Sequence, residues 1–488
     1  MQIISRIRGP IIASAIAAAA VAAPLAAQKT VDYSVQPTPG ALPAMHVPKW
    51  THSELANGAE LVVTEKHDLP LVAFTITFVG GAYNYESADK IGVGPLTAQM
   101  LSEGTTSKTG EQLADAQQML GTQIFANVGN ESGAIGFTAL KAKLEPALAL
   151  VADMLVNPAL PADALERLRG RRLVSLQQRK DQPEAIASNV FARTLYGDAH
   201  PYGRVETEKT VRAITREDIV EFQRAYYQPG RAVIAVTGDI DPATARAMVE
   251  KAFAQWKAGG ARPTFDYPAV PAQKSTTIYL VDMPAAAQSV FSLGMPGPER
   301  STPDYYAIEV MNNILGGLFQ SRINHNIREV KGYSYGVGSG FAFGRGPGAF
   351  EVGGGIVTAK TDSALIEFMK ELKGVQGGVP FTEDEIKQGK ESLIQSIPRR
   401  FASVNATGSS IAGIYVQDLP ETYYRDFAAK INAVTAEDLV RVAKKYIDLA
   451  HLNIVIVGDK ATVEAPLRAT GIAPVAITDA EAKPVIVP

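Results

Sequence analysis

The sequence predicts an α+β protein built from two duplicated α/β sandwich domains. The run from Val211 to Asp239 reappears as a similar run from Ile431 to Asp459, and each reads as a capped amphipathic helix, a short loop and an apolar strand ending in Gly-Asp. The two runs align without a gap, which indicates two copies of one structural unit. Because each unit mixes hairpin-type strands with helices, we expect helices on one side of a mainly antiparallel sheet. At 488 residues the chain is long enough for two hydrophobic cores.

The composition excludes several classes of protein and site. Hydrophobic residues make up 46% of the chain and charged residues 20%, and the formal net charge is −3. This balance lacks the basic excess of a nucleic-acid-binding protein, so no nucleic-acid partner is expected. The chain contains no cysteine, which excludes disulfides, thiolate metal sites and a lipidated cysteine anchor.

Residues 1–27 have the pattern of a secretory signal peptide. Arg6 and Arg8 precede a continuous apolar run, and small residues at Ala26 and Ala27 offer a cleavage site. A mitochondrial transit peptide is the alternative, since the segment carries arginine and no acidic residue. The continuous apolar centre favours a signal peptide, because a transit helix alternates polar and apolar faces. No later stretch is long and apolar enough to span a bilayer, so we expect a periplasmic or otherwise exported protein.

Composition also divides the remaining chain into domains and connecting segments. Prolines and glycines concentrate between the two copies, as is typical of a linker, and the last residues resemble a loose tail. The predicted boundaries are an extended N-terminal arm at 28–50, an N-terminal domain at 51–257, a linker at 258–274, a C-terminal domain at 275–471 and a tail at 472–488.

The first domain carries clear signals for its early elements. Leu61–Thr64 and Leu71–Val79 are apolar runs flanking a short charged turn, which predicts a hairpin. Thr109 and Gln112 form a capping box, and Gly121 is expected to close the helix that follows. Further strands are predicted at 124–128, 134–140 and 232–237, and further helices at 145–156, 162–180, 183–195, 215–227 and 242–256.

The residues from Ile314 to Phe341 combine a helix, a turn and a strand around two chemically suitable side chains. A Gly-Gly pair opens the stretch, a helix-like segment is expected to end near Arg328, and Gly332 suits the turn because glycine accepts a positive φ. Tyr333–Phe341 is rich in aromatic residues and glycine and is predicted as a strand, which places Tyr335 early on it.

Arg328 and Tyr335 could act together on one oxygen atom. An arginine fork and a phenol hydroxyl brought side by side can donate hydrogen bonds to a carbonyl oxygen or to a developing oxyanion. The alternative is structural: Arg328 compensates the helix dipole and Tyr335 fills the core. The pattern by itself favours the structural alternative.

A longer motif changes that balance. The run LGG-x-F-x-SR, followed by I-R-E-x-K-G-Y-S-Y-G-V, resembles the C-terminal domain of the insulinase (pitrilysin) family of zinc metallopeptidases. In that family an arginine and a tyrosine at this spacing hold the substrate beside the metal, and they match Arg328 and Tyr335 here. Smaller members consist of two similar halves that form a clamshell, so the resemblance extends over most of the chain, roughly Leu61 to Gly471.

The resemblance also implies where zinc would be held, and the residues there do not suit it. Family members carry H-x-x-E-H within a run that matches Gly92–Thr105 of this chain, GVGPLTAQMLSEGT. The two histidines and the glutamate that polarises the metal-bound water fall on Pro95, Ala98 and Gln99. A further glutamate ligand falls on Ser175, in a predicted helix rich in arginine that we interpret as a solvated face.

No other part of the sequence offers a replacement metal site. None of the six histidines has another histidine three or four residues away, so no helix face presents a histidine pair. His200 lies in an HPYG run that relatives share and is interpreted as structural, and His325 as a polar helix position. The sequence has no phosphate-binding loop, and its G-x-S-x-G match at Gly332–Gly336 leads from a predicted helix into a predicted strand, which is not the strand-to-helix turn of a nucleophile elbow.

The resemblance therefore implies the zinc-less subunit of a two-chain insulinase-type peptidase. This chain would bind no cofactor and would supply Arg328 and Tyr335, while zinc, water and general base come from a partner chain. The edge of the strand at 335–341 would align the peptide by strand addition. Two alternatives stay open: a stand-alone periplasmic peptide-binding or scaffold protein that has lost the chemistry, and an independent hydrolase with residues of another kind.

Overall fold

The computed structural model describes residues 46–485. The predicted signal peptide at 1–27 and most of the predicted arm at 28–50 lie outside the described residues. Among the described residues, no helix has the length and apolar character needed to cross a membrane.

The first domain is a six-stranded sheet with helices. Its strands are β1 (Thr51–Glu54), β2 (Glu60–Glu65), β3 (Leu71–Val79), β4 (Phe125–Val128), β5 (Ser132–Leu140) and β6 (Ala232–Gly238). Its helices are α1 (Ala82–Tyr85), α2 (Val93–Met100), α3 (Gly110–Leu120), α4 (Leu144–Val156), α5 (Ala162–Arg179), α6 (Pro183–Tyr196), α7 (Glu208–Ala213), α8 (Arg216–Tyr226) and α9 (Pro242–Ala252). The capping box predicted for α3 is present, because the Thr109 hydroxyl and the Gln112 side chain exchange hydrogen bonds with each other's backbone.

The hairpin predicted from β2 and β3 is wrong. The strand order is β1-β2-β6-β3-β5-β4, so β6 lies between the two strands. β2 pairs parallel with β6, and β3 pairs antiparallel with it. Every residue of β6 is buried, as expected for a strand inside a sheet. The residues around β2 and β3 could not reveal that β6, which is distant in sequence, lies between them.

The second domain repeats this plan. Its strands are β7 (Thr277–Asp282), β8 (Gln288–Pro296), β9 (Val337–Phe341), β10 (Ala349–Val357), β11 (Asn453–Gly458) and β12 (Val475–Thr478), in the order β12-β7-β11-β8-β10-β9. Its helices are α10 (Tyr305–Asn312), α11 (Arg322–Asn324), α12 (Thr361–Lys373), α13 (Glu383–Ser396), α14 (Val404–Val416), α15 (Tyr423–Asn432), α16 (Ala436–Tyr446) and α17 (Lys460–Ala469). The α+β fold of two duplicated domains, arranged as a clamshell, is confirmed.

The prediction of a loose tail at 472–488 is wrong for its first part. β12 pairs parallel with β7, from Val475 opposite Ile278 to Thr478 opposite Val281. Val475 is buried and belongs to the core of the second domain. The apolar residues of this short strand complete the sheet edge, a pairing that a four-residue run does not reveal by itself.

Each sheet is also covered by a helix from the other domain. α6, from the first domain, packs on β8 and β11, where Val190 and Phe191 meet Val290 and Val455. α14, from the second domain, packs on β3 and β6, where Ile411 shares a core with buried residues of both strands. Helices therefore cover both faces of each sheet, whereas the sequence predicted helices on one side only.

The segment predicted as a linker, 258–274, contains no helix or strand, yet its side chains are anchored to both domains. Arg262 donates to Asp418 Oδ1 at 2.7 Å and also pairs with Glu60. The Tyr267 hydroxyl accepts a hydrogen bond of 3.0 Å from Asn84 Nδ2. The connection thus follows the surface in a fixed path between the two sheets.

Candidate functional site

The predicted pair lies on a segment that contains two irregular helical turns. α10 continues into a π-helical turn at Asn313–Gly317, and α11 continues into a second one at His325–Val330. The glycine pair therefore ends a helix and does not open one. A Cβ on Gly316 would lie 2.4 Å from the backbone nitrogen of Ser339, so only glycine allows the first turn to approach β9 this closely. π-helical turns are frequent at functional sites.

Arg328 projects from the second π-helical turn and is partly accessible, with 32% of its side chain exposed. Its guanidinium carbon lies 4.4 Å from the centre of the Phe319 ring, which is a cation–π contact. Arg328 Nη1 also lies 3.3 Å from Glu329 Oε1. One side of the guanidinium is thus supported by an aromatic ring while the group stays open to a ligand.

Tyr335 lies in a tight turn and not on the predicted strand, because β9 begins only at Val337. Gly332 has a φ of 67°, which confirms the predicted turn after the helix. The Ser334 hydroxyl donates to the carbonyl of Gly355 on β10 at 2.6 Å and accepts from the Gly336 N–H at 2.9 Å. These side-chain bonds take the place of ladder bonds, so the strand starts later than its composition suggests.

The structural alternative for Tyr335 is wrong, since 88% of the residue is exposed. Tyr333 is the residue that packs partly against the core. Tyr335 therefore combines a rigidly bonded backbone with a solvent-facing ring and hydroxyl. An exposed aromatic side chain on an ordered turn is typical of a binding residue.

A buried asparagine joins the two parts of the site. Asn324 is 4% exposed, and its Nδ2 donates to the carbonyl of Phe319 at 2.6 Å. Its Oδ1 accepts the N–H of Val337 at 3.1 Å. The same side chain thus holds the loop carrying the ring under Arg328 and the start of β9, two residues after Tyr335.

Further polar contacts fix the helix that carries Arg328. Arg322 donates to both carboxylate oxygens of Glu385, at 2.6 and 2.8 Å. Asn326 Nδ2 contacts Glu367 at 2.9 Å and Glu371 at 2.7 Å. Burial raises the pKa of Glu371, against the effect of its bond from Asn326. The helix is therefore held on two sides before it presents Arg328.

β9 lies at the edge of its sheet, as the strand-addition hypothesis requires, but its free side is partly occupied. Asn312 Nδ2 donates to the carbonyl of Ser339 at 3.2 Å, and Ser339 Oγ donates to Asn312 Oδ1 at 2.7 Å. A peptide that pairs with β9 would either leave the Ser339 carbonyl bonded to Asn312 or displace the Asn312 side chain from it.

Two residues of the site, Phe319 and Asn324, are not evident as functional residues from the sequence. Phe319 is part of the LGG-x-F-x-SR motif and is 65% exposed, so its place in the motif was the available signal. Asn324 had no signal, because a lone asparagine in a helical stretch most often faces solvent. Only the folded chain shows that it spans two loops.

The positions where relatives hold zinc lie on two helices that pack together. Pro95, Ala98 and Gln99 belong to α2, and Ser175 belongs to α5, which packs against α2. Ala98 is 1% exposed, whereas Gln99 is exposed. Proline and alanine side chains have no donor atom, and an amide and a hydroxyl are poor zinc ligands, so these residues do not fit the metal.

A carboxylate and an ion pair surround the same helix. Glu86, 8% exposed, accepts hydrogen bonds from the N–H groups of Gly92 and Gly94 at the start of α2, and burial raises the pKa of its carboxyl. Arg172, one turn before Ser175 on α5, donates through Nε to Glu206 at 2.7 Å. Both carboxylates near α2 therefore already have hydrogen-bond partners within the protein, Glu86 from the backbone and Glu206 from Arg172.

The four arginines of α5 between residues 167 and 172 have partners, so the predicted solvated face is only part of their role. Arg167 and Arg171 lie near Glu103, and Arg169 bonds the carbonyl of Val211 at 3.0 Å. These contacts tie α5 to neighbouring segments and leave no cluster of free cations for an anion.

The histidines behave as predicted. His200 is buried, accepts the N–H of Tyr202 at 3.1 Å and stacks on Tyr196, and burial lowers its pKa. His325 is exposed on its helical turn. Within residues 46–485 no three His, Asp or Glu side chains lie together as a metal site would need.

Two family models match consecutive parts of the chain. Residues 61–204 match the insulinase family, peptidase family M16, and residues 213–393 match the inactive domain of the same peptidase family. The chain belongs to the insulinase family. Together the two matches cover both halves of the duplicated fold that carries Arg328 and Tyr335.

The chain is also similar in sequence to proteins described as zinc proteases. The chain is 29% identical over 344 residues to an uncharacterised zinc protease of Mycobacterium leprae, covering 69% of this chain and 76% of that protein. It is 24% identical over 387 residues to an uncharacterised zinc protease of Bacillus subtilis, covering 79% and 92%.

Solved structures show the same fold. A crystal structure described as the peptidase M16 inactive domain, from Pseudomonas fluorescens, has a TM-score of 0.77 at 27% identity and covers 84% of this chain and 98% of its own. A protease from Helicobacter pylori has a TM-score of 0.77 at 20% identity and covers 84% of this chain and 99% of its own, a likeness of fold alone.

Proposed function

We propose that this insulinase-family chain is the non-catalytic, substrate-binding subunit of a heteromeric zinc peptidase. The observation that carries the proposal is that one segment presents an exposed Tyr335 and an Arg328 supported by an aromatic ring, with Asn324 holding both parts of that segment. The chain keeps a ready oxygen-binding site although positions 95, 98, 99 and 175 carry no zinc-binding side chains.

The chemistry follows from the two side chains. The Arg328 guanidinium and the Tyr335 hydroxyl can each donate one hydrogen bond to a peptide carbonyl oxygen, whose two lone pairs can accept them. As negative charge grows on that oxygen, both bonds strengthen, which lowers the barrier for attack on the peptide carbon. The backbone bonds of Ser334 and Asn324 keep the donors in place before the substrate arrives.

A partner chain supplies what this one lacks. It would hold zinc through H-x-x-E-H, carry the water that attacks, and provide the general base. The two relatives named above are described as zinc proteases, and this chain shares their fold without suitable residues at the metal positions. Such a division of labour makes the chain inactive alone and active in the complex.

Purification from the native source tests the partnership. The chain should co-purify with a similar chain that carries H-x-x-E-H, identified by mass spectrometry, and the mixture should hydrolyse peptides whereas this chain alone does not. Recovery of the chain without such a partner, together with peptide binding, would favour the stand-alone peptide-binding or scaffold protein instead.

We further propose that the protein is exported, most simply to the periplasm. The support is the sequence of residues 1–27, with two arginines, an apolar centre and small residues before the expected cleavage point. N-terminal sequencing of the mature protein should begin close to Gln28. An intact Met1 on cytoplasmic protein would contradict export.

A further inference from the structure

Asn324 bonds to two backbone segments that carry different parts of the proposed site. One segment ends at Phe319, whose ring lies against the Arg328 guanidinium. The other is the turn from Tyr333 to Val337, which presents Tyr335. Asn324 Nδ2 donates to the first segment at 2.6 Å, and Asn324 Oδ1 accepts from the second at 3.1 Å.

The asparagine cannot be replaced by solvent in this role. With 4% of the residue exposed, water has little access to either bond. Loss of the side chain would leave the Val337 N–H buried without this partner and would free the Phe319 carbonyl from it, which favours movement of both loops.

Other contacts of the turn do not reach Phe319. Ser334 bonds to Gly336 and to the carbonyl of Gly355 on β10, which fixes the turn to the sheet only. Arg322 and Asn326 fix the helix to α13 and α12 respectively. Asn324 is the side chain that connects the aromatic support of Arg328 to the turn of Tyr335.

We propose that Asn324 is a positioning residue that sets the spacing between Arg328 and Tyr335 by holding both loops to one carboxamide. The inference rests on the proposed function of that pair. Asn324 itself contacts no substrate. Its effect on binding passes through Tyr335 and through the ring that supports Arg328.

The first test measures geometry and does not depend on function. Hydrogen–deuterium exchange of the Val337 amide, resolved to single residues, is compared in wild type, Asn324→Leu and Asn324→Asp. Asn324→Leu should exchange about tenfold faster, because its side chain offers no acceptor. Asn324→Asp keeps an oxygen for Val337 and should stay close to wild type. Unchanged exchange in Asn324→Leu overturns the proposal.

A matched control separates positioning from general loss of stability. Asn453 is a fully buried asparagine on β11 that accepts a hydrogen bond from Gln273 and lies away from the site. Asn453→Leu should lower the melting temperature without altering exchange at Val337. If it accelerates Val337 exchange as much as Asn324→Leu does, the effect is global and the proposal fails.

The second test asks whether Asn324 acts through Tyr335. Binding of fluorescein-labelled oxidised insulin B chain to the full chain is measured by anisotropy in a double-mutant cycle. Asn324→Leu should weaken binding about threefold to tenfold in wild type but add little to Tyr335→Phe, because residues that act as one unit are not additive. If the effects of Asn324→Leu and Tyr335→Phe on binding are fully additive, Asn324 does not act through Tyr335 and the positioning role is contradicted.

The two hypotheses fail in different ways. If Arg328→Ala and Tyr335→Phe leave probe binding unchanged, the proposed function loses its site, while the exchange experiment still decides what Asn324 holds. If those variants weaken binding but Asn324→Leu changes neither exchange nor binding, the function stands and the positioning role does not.

Discussion

The guanidinium carbon of Arg328 lies 4.4 Å from the centre of the Phe319 ring, and 65% of Phe319 is exposed. Single exposed apolar side chains are common on protein surfaces, so it is the contact with Arg328 that distinguishes Phe319. The ring supports the flat face of the arginine, so that the edge of the fork, which carries the hydrogen-bond donors, is directed by packing. The pair is therefore a preformed half of the proposed oxygen-binding site.

Replacing Phe319 should weaken activity of the reconstituted complex. An exposed cation–π contact contributes about 0.5–1 kcal/mol, so Phe319→Ala should lower kcat/KM about two- to fivefold. Val330→Ala serves as control, since Val330 is similarly exposed at 63%. Equal losses in both variants would show that the ring acts only as apolar surface.

Tyr335→Phe should damage catalysis and leave the fold intact. The exposed hydroxyl makes no contribution to the core, so the melting temperature should stay nearly constant. Loss of one oxyanion donor costs about 100- to 1000-fold in kcat in a well-studied serine protease, and we expect at least about a tenfold loss here. Tyr333→Phe, two residues away and partly buried, is the matched control. Normal turnover by Tyr335→Phe at saturating partner and substrate would remove this residue from the mechanism.

The purified chain alone should hold no stoichiometric zinc. Pro95 and Ala98 offer no donor atom, and the Glu206 carboxylate is already paired with Arg172. Elemental analysis after dialysis against a weak chelator should find well under one zinc per chain, and the melting temperature should not rise with added zinc. About one tightly held zinc per chain would refute the interpretation of the metal positions.

Asp304 should give the second domain a specific acid sensitivity. Burial by itself would raise the pKa of Asp304, but hydrogen bonds from Lys445, Arg441 and Tyr446 outweigh it and bring the pKa down to about 2. Since the folded pKa lies below the ordinary value near 3.8, the stabilisation of about 2 kcal/mol is complete above about pH 4 and is lost as the pH falls towards 2.

Denaturant unfolding between pH 6 and 2 checks this expectation. Asp304→Asn should lower the free energy of unfolding at pH 6 and flatten its decrease between pH 4 and 2. The exposed surface pair of Asp68 with Lys66 supplies a control, because Asp68→Asn should leave the profile nearly unchanged. An unaltered acid profile in Asp304→Asn would contradict the assignment.

Cleavage of the linker should leave the two domains together. Limited proteolysis is expected to cut first within 258–274, where no helix or strand forms. Because α6 and α14 each pack on the opposite sheet, the two fragments should elute as one species on gel filtration and separate only in denaturant. Separation of the two fragments under native conditions would show that α6 and α14 contribute little to the association of the domains.

Much of this fold could be predicted because the relevant signals are local or repeated. The capping box of Thr109 and Gln112, the positive φ of Gly332 and the aligned copies ending at Gly238 and Gly458 all depend on nearby residues. The insertion of β6 between β2 and β3, and the edge pairing of β12, depend on contacts between distant segments, which periodicity does not report.

The candidate site likewise has features that the sequence predicts and features that only the folded chain shows. The spacing of Arg328 and Tyr335 was available from the motif, and so was the absence of zinc donors at Pro95 and Ala98. The late start of β9 could not be predicted from the motif. The Ser334 hydroxyl bonds to backbone groups that the composition would assign to strand pairing. The role of Asn324 could not be predicted either, because it depends on the folded positions of two loops, one ending at Phe319 and the other carrying Tyr335.

The reciprocal placement of α6 and α14 has a consequence for how the chain is made. Synthesis proceeds from the N-terminus, so the face of the first sheet that α14 covers stays open to solvent until residues 404–416 have emerged. Ala235 and Val62 lie in that shared core. The first domain therefore cannot bury this apolar face until α14, near the end of the chain, has been synthesised. Until that helix arrives, the first domain exposes the kind of apolar surface that makes incompletely folded chains prone to aggregation.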